Sequence, residues 1–155
     1  MYEKPVVIAS GYSTYHGAKI VNSSAPSAEV VGIGLITPVS GIITSRFGAR
    51  GSGYHTGLDI AAPIGTTIAA AAGGTVVFSG WDNYGLGYAV KISHGNGVET
   101  VYGHCSQLYV KAGETVSAGQ AIAAMGSTGN STGSHLHLEI RVNGARQNPQ
   151  VYLYK

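Results

Sequence analysis

Residues 133–142, GSHLHLEIRV, set two histidines on either side of a leucine, with leucine, isoleucine and valine at every second place. Strand neighbours alternate faces and residues two apart share one. His135, His137, Glu139 and Arg141 therefore line one side, and Leu136, Leu138, Ile140 and Val142 the other. The apolar side needs a core, so both imidazoles point away from it, ~6.6 Å apart along the strand. A polar outer face that happens to hold two histidines is the plain alternative. A second constellation weighs against it: YHTGLDIAAP, residues 54–63, carries His55 and Asp59 four apart. In a flat strand those side chains would share a face ~13 Å apart. Gly57 between them permits a bend that brings both to one point. VYGHCS, residues 101–106, adds a third histidine: Val98, Thr100, Tyr102 and His104 fall on one parity, which lets His104 reach the same groove.

Imidazole nitrogen and carboxylate oxygen are donors that zinc prefers, and a catalytic zinc needs three protein ligands and one open position. His55, Asp59, His104, His135 and His137 are five candidates on β elements. Two histidines would then be spare to handle the proton of an attacking water. Spacing alone does not say which member of the His-x-His pair binds metal.

The elements that must position these groups read as strands. A chain of 155 residues suits one domain with a tail and is long enough to bury a real core. Charged residues are 10%, with 24 glycines and 10 tyrosines against 2 phenylalanines, a profile of short strands joined by tight turns. Strands are expected over 66–71 and 75–79 around Gly73 and Gly74, and over 88–93, 98–104, 114–116, 120–125 and 133–142. HGNG at 94–97 and VNGA at 142–145 read as turns, the first a hairpin because Asn-Gly supplies the positive φ angles it needs. Alanine-rich 68–72 is too short for a helix, and no amphipathic helix is expected. The fold class is all-β, a curled antiparallel sheet or sandwich. Residues 1–34, with β-prone pieces at 5–9 and 29–31, read as a linker or the end of an upstream module, and the domain is placed at 35–155.

A net charge of +2 with scattered basic residues argues against nucleic acid as a partner. No apolar run reaches the ~18 residues of a membrane span, and no leader pattern opens the chain. The chain is thus either cytosolic or a fragment of a longer secreted or anchored protein, and the tail favours the fragment. A lone cysteine, Cys105, excludes an internal disulfide and a cysteine-only zinc site. Next to His104 in a strand it faces the other way, which suits a small buried apolar residue better than a thiol nucleophile. GNSTG at 129–133 has the Gly-x-Ser-x-Gly form, but a strand follows where a nucleophile elbow needs a helix. Ser131 therefore reads as a loop residue lining the groove, and Tyr54, Asn83, Tyr84 and Tyr102 are further groove candidates. Glu139 either orients an imidazole or pairs with Arg141 at the surface. His94 reads as a turn residue and His16 as a linker residue.

Taken in order, SRFGARGSGYHTGLDIAAPIGTTIAAAAGGTVVFSG and HGNGVETVYGHCSQLYVKAGETVSAGQAIAAMGSTGNSTGSHLHLEIRVNG resemble the lysostaphin/LytM-like metallopeptidases, the M23 family. The resemblance runs from residue 35 to the C-terminus. It implies a fold of the duplicated hybrid motif type and zinc held by His55, Asp59 and His137. It also implies that His104 and His135 act as acid/base groups and transition-state stabilisers. The implied activity is hydrolysis of peptide cross-links or bridges in bacterial peptidoglycan, at the cell wall or outside the cell, by a monomer. Some members of the family cut glycine bridges and others D-alanyl cross-links, and both remain open. Members that lack the five residues act as non-catalytic partners, so a wall-binding or activator module is the competing expectation. A glycan-binding β module with incidental histidines is a third. The stretch 110–129 also resembles the hairpins of lipoyl-type barrels but has no lysine in a turn, and 17–34 resembles the tail of a G5 module.

Overall fold

The computed structural model describes residues 13–15, 18–20, 26–51 and 53–154. Nearly all regular structure there is strand: β1 (Ser13–Tyr15), β2 (Ala18–Ile20), β3 (Ile42–Ser45), β4 (Gly48–Arg50), β5 (Gly53–His55), β6 (Leu58–Ala61) and β7 (Thr67–Ala69). After these come β8 (Gly74–Asp82), β9 (Gly87–Gly95), β10 (Val98–Leu108), β11 (Thr115–Val116), β12 (Ala121–Met125), β13 (His135–Val142) and β14 (Ala145–Gln147). One helix, α1 (Ala28–Ile33), precedes β3, and a single 3-10 turn, Pro149–Val151, follows β14.

The main sheet runs β3–β6–β13–β10–β9–β8–β11, antiparallel throughout. β14 continues the edge of β13 beyond β6, and β12 with β7 pairs on the far end of β10. Two Asn-Gly turns set the hairpins next to the site. Asn96 and Gly97 take φ of 52° and 78° between β9 and β10, and Asn143 and Gly144 take 51° and 83° between β13 and β14. Both are the left-handed pairs that a two-residue hairpin requires.

Alternation decides what each face does. Leu136, Leu138 and Ile140 on β13 are fully buried, as are Leu58 and Ile60 on β6, Val90 and Ile92 on β9, and Ile122 and Met125 on β12. Burying each such side chain contributes about 1.5–3 kcal/mol. That fixes the register, because a slip of one residue would exchange the faces. The opposite face of β13 is not a solvated one: His137 and Glu139 are only 6% and 2% exposed.

The all-β reading therefore holds, with one exception. Residues 29–31, expected to be β-prone, lie in α1, and the described residues 27–33 of the stretch expected as a linker pack on the sheet. Val30 is buried against Val98 and Ile140, and the Ser27 N–H donates to the Tyr152 hydroxyl at 2.7 Å. Gly34, left-handed at φ 72°, closes the helix. The β-prone piece at 5–9 and His16 fall outside the described residues. The strand expected over 75–79 is longer, since β8 continues through Asp82.

Tyr102, expected in the groove, lies instead on the core face. Its hydroxyl accepts from the Ala71 N–H at 2.9 Å and meets Thr100 Oγ1 at 2.8 Å. Thr100 reaches His94 Nε2 at 2.7 Å, and His94 Nδ1 reaches the Gly73 carbonyl at 2.8 Å. Burial pushes the Tyr102 hydroxyl up to about 12 and pulls the His94 ring below its ordinary value. The chain of bonds is satisfied with a neutral His94 that donates from Nδ1. Tyr102→Phe strands the Ala71 N–H in the core and is expected to lower the unfolding free energy by about 1–3 kcal/mol. Urea melts measure this; an unchanged midpoint and slope would contradict it.

Candidate metal centre and active site

Asp59 stands directly opposite His137 in the register of β6 on β13. His137 Nδ1 lies 2.9 Å from Asp59 Oδ1, and His55 Nε2 lies 3.3 Å from the same oxygen. One donor atom from each of His55, Asp59 and His137 falls within 4.8 Å of the others. Those separations suit a tetrahedral ion with bonds of about 2.0–2.2 Å. Two nitrogens and a carboxylate oxygen are also a borderline donor set that fits zinc.

The bend that brings His55 to Asp59 falls at Thr56 and Gly57, between β5 and β6. Gly57 serves here by close approach and not by an unusual φ. A Cβ at this position would lie 2.4 Å from the Leu138 carbonyl oxygen and 2.9 Å from His137 Nε2. The first motif is thus pressed against the last one beside the three candidate donors.

Two further imidazoles face the same centre. The His104 ring centroid is 4.7 Å from that of His135 and 5.9 Å from that of His137. His135 Nε2 lies 3.7 Å from Asp59 Oδ2. His104 reaches the cleft by a route that strand parity does not describe. Parity groups it with Tyr102, which faces the core; at His104 φ is +65° and the pairing of β10 with β9 shifts between Tyr102 and Cys105. This bulge turns His104 outward and leaves Cys105 in the core, where burial pushes its thiol up to about 12.

Backbone carbonyls fix three of the four rings in one tautomer. His55 Nδ1 donates to the Arg46 carbonyl at 3.0 Å, His104 Nδ1 to that of Thr128 at 2.7 Å and His135 Nδ1 to that of Gly133 at 2.9 Å. Each then keeps Nε2 as the atom available to the centre. Burial lowers the His104 pKa, with the Thr128 carbonyl opposing that in part. His137 is the exception: it presents Nδ1, and its Nε2 faces Glu139 Oε2 at 2.9 Å.

The cleft has a volume of about 730 Å³. Tyr84 and Ser131 line it, as the sequence reading expects, whereas Asn83 is exposed outside the lining. Tyr54 also stands outside it, edge-on to Phe47 in the β4–β5 hairpin with ring centroids 5.7 Å apart. One rim is formed by two loops docked on each other, with Asn130 N–H donating to the Gly85 carbonyl at 2.8 Å. Gly87 and Gly129, both left-handed, meet at this contact too closely for any side chain. The same loops hold His104, whose N–H donates to the Leu86 carbonyl at 2.7 Å. Thr56, Asp82, Lys91 and Arg146 also line the cleft and were not singled out from sequence. Arg146 had a signal: the turn at Asn143 and Gly144 pairs it across the hairpin with Arg141.

A model of peptidase family M23 matches residues 53–149, and the chain belongs to that family. It is 50% identical over 95 residues to the DD-carboxypeptidase/endopeptidase Mpg of Neisseria meningitidis serogroup B, which covers 61% of this chain and 22% of that protein. It is 36% identical over 149 residues to the murein hydrolase activator NlpD of Salmonella typhimurium, covering 96% of this chain and 38% of that one. Among solved structures, the catalytic domain of the antimicrobial peptidase lysostaphin from Staphylococcus simulans shares the fold, with a TM-score of 0.65 and 36% identity. That match covers 70% of this chain and 88% of that one. The chain spans well under half the length of the two curated relatives.

Electrostatics set what a cation at this centre would have to displace. Burial alone would raise the Asp59 carboxyl, but the hydrogen bond from His137 and the neighbouring His55 ring hold it well below the usual carboxylate range. Burial would lower His137, yet its bonds to Asp59 and Glu139 outweigh that and lift it from 6.5 to about 9. In the metal-free protein the His137 proton is therefore stabilising. Its contribution is complete below the unfolded value of 6.5 and is lost as pH rises through about 9. A cation must displace that proton. From about pH 7 to about pH 9 the apparent zinc association constant is expected to rise about tenfold per pH unit, with release of about one proton. Calorimetry in buffers of different ionisation enthalpy measures both; an affinity independent of pH would contradict the assignment of His137.

Proposed function

We propose that this chain is a zinc-dependent endopeptidase that hydrolyses peptide cross-links or bridges of bacterial peptidoglycan, acting as a monomer at the cell wall or outside the cell. The observation that carries this reading is the pairing of a three-donor cation site with two spare imidazoles. His104 and His135 both have Nδ1 taken by a backbone carbonyl, which leaves Nε2 of each as a proton acceptor beside Asp59 and His137. No helix among the described residues is long and apolar enough to cross a membrane.

His55, Asp59 and His137 would hold the ion. Zinc bound there supplies Lewis acidity, polarising the scissile carbonyl and acidifying the attacking water. The residues of the chain do the rest. A ring of His104 or His135 takes the proton of the water at Nε2 and returns it to the leaving amine. The charged ring, held 4.7 Å centroid to centroid from its neighbour, also offsets negative charge on the oxyanion. The rim formed by the loops around Tyr84 and Ser131 would meet the peptide beside the bond that is cut.

The second reading, a non-catalytic wall-binding or activator module, draws support from the likeness to the murein hydrolase activator, which covers 96% of this chain. Against it stands the complete set of five polar residues at one centre, two more than a three-ligand site uses. Digestion of defined muropeptides, with products weighed by mass spectrometry, separates the two. An enzyme yields cleaved peptides, loses activity to a chelator and regains it with zinc. An activator yields none.

His104→Ala and His135→Ala are expected to keep bound zinc and to lose about 10²–10⁴-fold in turnover. His55→Ala, Asp59→Ala and His137→Ala are expected to lose the metal itself. Zinc content and turnover measured on the same samples check this, and loss of zinc from His104→Ala would overturn the division of roles.

A further inference from the structure

We propose that Glu139 is the positioning residue of the metal centre, fixing His137 so that Nδ1, and not Nε2, is the atom offered to the cation. This rests on the reading of His55, Asp59 and His137 as the ligand set.

In the sequence Glu139 is equally suited to a surface ion pair with Arg141. The structure buries it: the residue is 2% exposed, and each carboxylate oxygen is fully engaged. Oε1 accepts from Arg141 Nε at 2.8 Å and Nη2 at 2.7 Å, and from Arg146 Nε at 3.0 Å. Oε2 accepts from Thr56 Oγ1 at 2.9 Å and faces His137 Nε2 at 2.9 Å. A carboxylate accepts only, so the imidazole must carry its proton on Nε2 there. Nδ1, which donates to Asp59 Oδ1 at 2.9 Å in the metal-free protein, is then the nitrogen that gives up its proton and turns a lone pair to the centre when a cation binds.

The contrast with the other rings gives this arrangement its meaning. His55, His104 and His135 are oriented by neutral carbonyls and present Nε2. His137 alone is oriented by a charged acceptor, which makes its imidazole the more basic ligand. Thr56 lies in the bend next to His55, Arg141 on β13 and Arg146 on β14. One carboxylate therefore ties the first motif, the last motif and the final hairpin into the same alignment. The two guanidiniums keep Glu139 in place, and its role is exerted through His137.

The test compares the full chain with Glu139→Gln and with the double variant Glu139→Gln plus Arg146→Met, which restores the charge balance around the buried group. Three quantities are measured: zinc affinity by competition with a chromophoric chelator, the visible spectrum of the cobalt(II)-loaded protein, and the melting temperature without metal. The expected result is a 10–100-fold loss of zinc affinity and an altered cobalt spectrum in both variants, with the melting temperature regained in the double variant. If Glu139 serves only as a structural ion pair, the double variant regains affinity and spectrum along with its fold, and the proposal is overturned. Unchanged affinity in folded Glu139→Gln overturns it as well. Wild-type protein that binds no zinc overturns the reading of the ligand set, and the proposal with it.

Discussion

The antiparallel register of β6 on β13 is the constraint on which the site depends. It sets His137 across from Asp59 and His135 across from Ala61, while Leu136 and Leu138 meet Ile60 and Leu58 on the other face. The apolar pairs are fully buried and hold the register through their packing. The polar pair, His137 and Asp59, inherits its geometry from it. Alignment of the candidate ligands is thus set by hydrophobic contacts on the far side of the same two strands, and the weaker polar contacts need only refine it. β10 extends the same logic: it pairs Gly103 with His137, and the bulge that follows delivers His104.

Burial of so many ionisable groups at one place would be unfavourable without mutual compensation. Asp59, His137, Glu139, Arg141 and Arg146 form a row in which each charge meets an opposite one within 3.0 Å. Asp59 and Glu139 are both held ionised below the usual carboxylate range, and the proton they share through His137 is the one a divalent cation would replace. The donor groups are accordingly held together by that proton, which offsets part of their negative charge. Under the proposed function, the exposed rim would serve peptide recognition and the buried floor ion binding.

Much of this was legible in the sequence because period-two alternation and Asn-Gly turns report directly on strands and hairpins. The facing of His135, His137 and Glu139 followed from alternation, and the pairing of the first and last motifs from residue chemistry at matching spacings. Strand parity groups His104 with Tyr102, yet only His104 reaches the cleft. The bulge that separates them has no compositional signature beyond the neighbouring Gly103, whose Cβ would meet Leu86 at 2.7 Å. Helix α1 was missed since six residues hold too little periodicity to be read, and its stability comes from packing of Val30. The choice of His55, Asp59 and His137 among five donors was implied by family resemblance alone. In the structure these three are the donors that fall together, with one atom of each within 4.8 Å of the others.

The most direct measurement is anomalous diffraction at the zinc edge from crystals of the zinc-loaded chain. The account predicts one strong peak bonded to His55 Nε2, an Asp59 oxygen and His137 Nδ1, with solvent in the remaining position. A peak that includes His104 or His135 in the coordination sphere, or one in which His137 binds through Nε2, would contradict it.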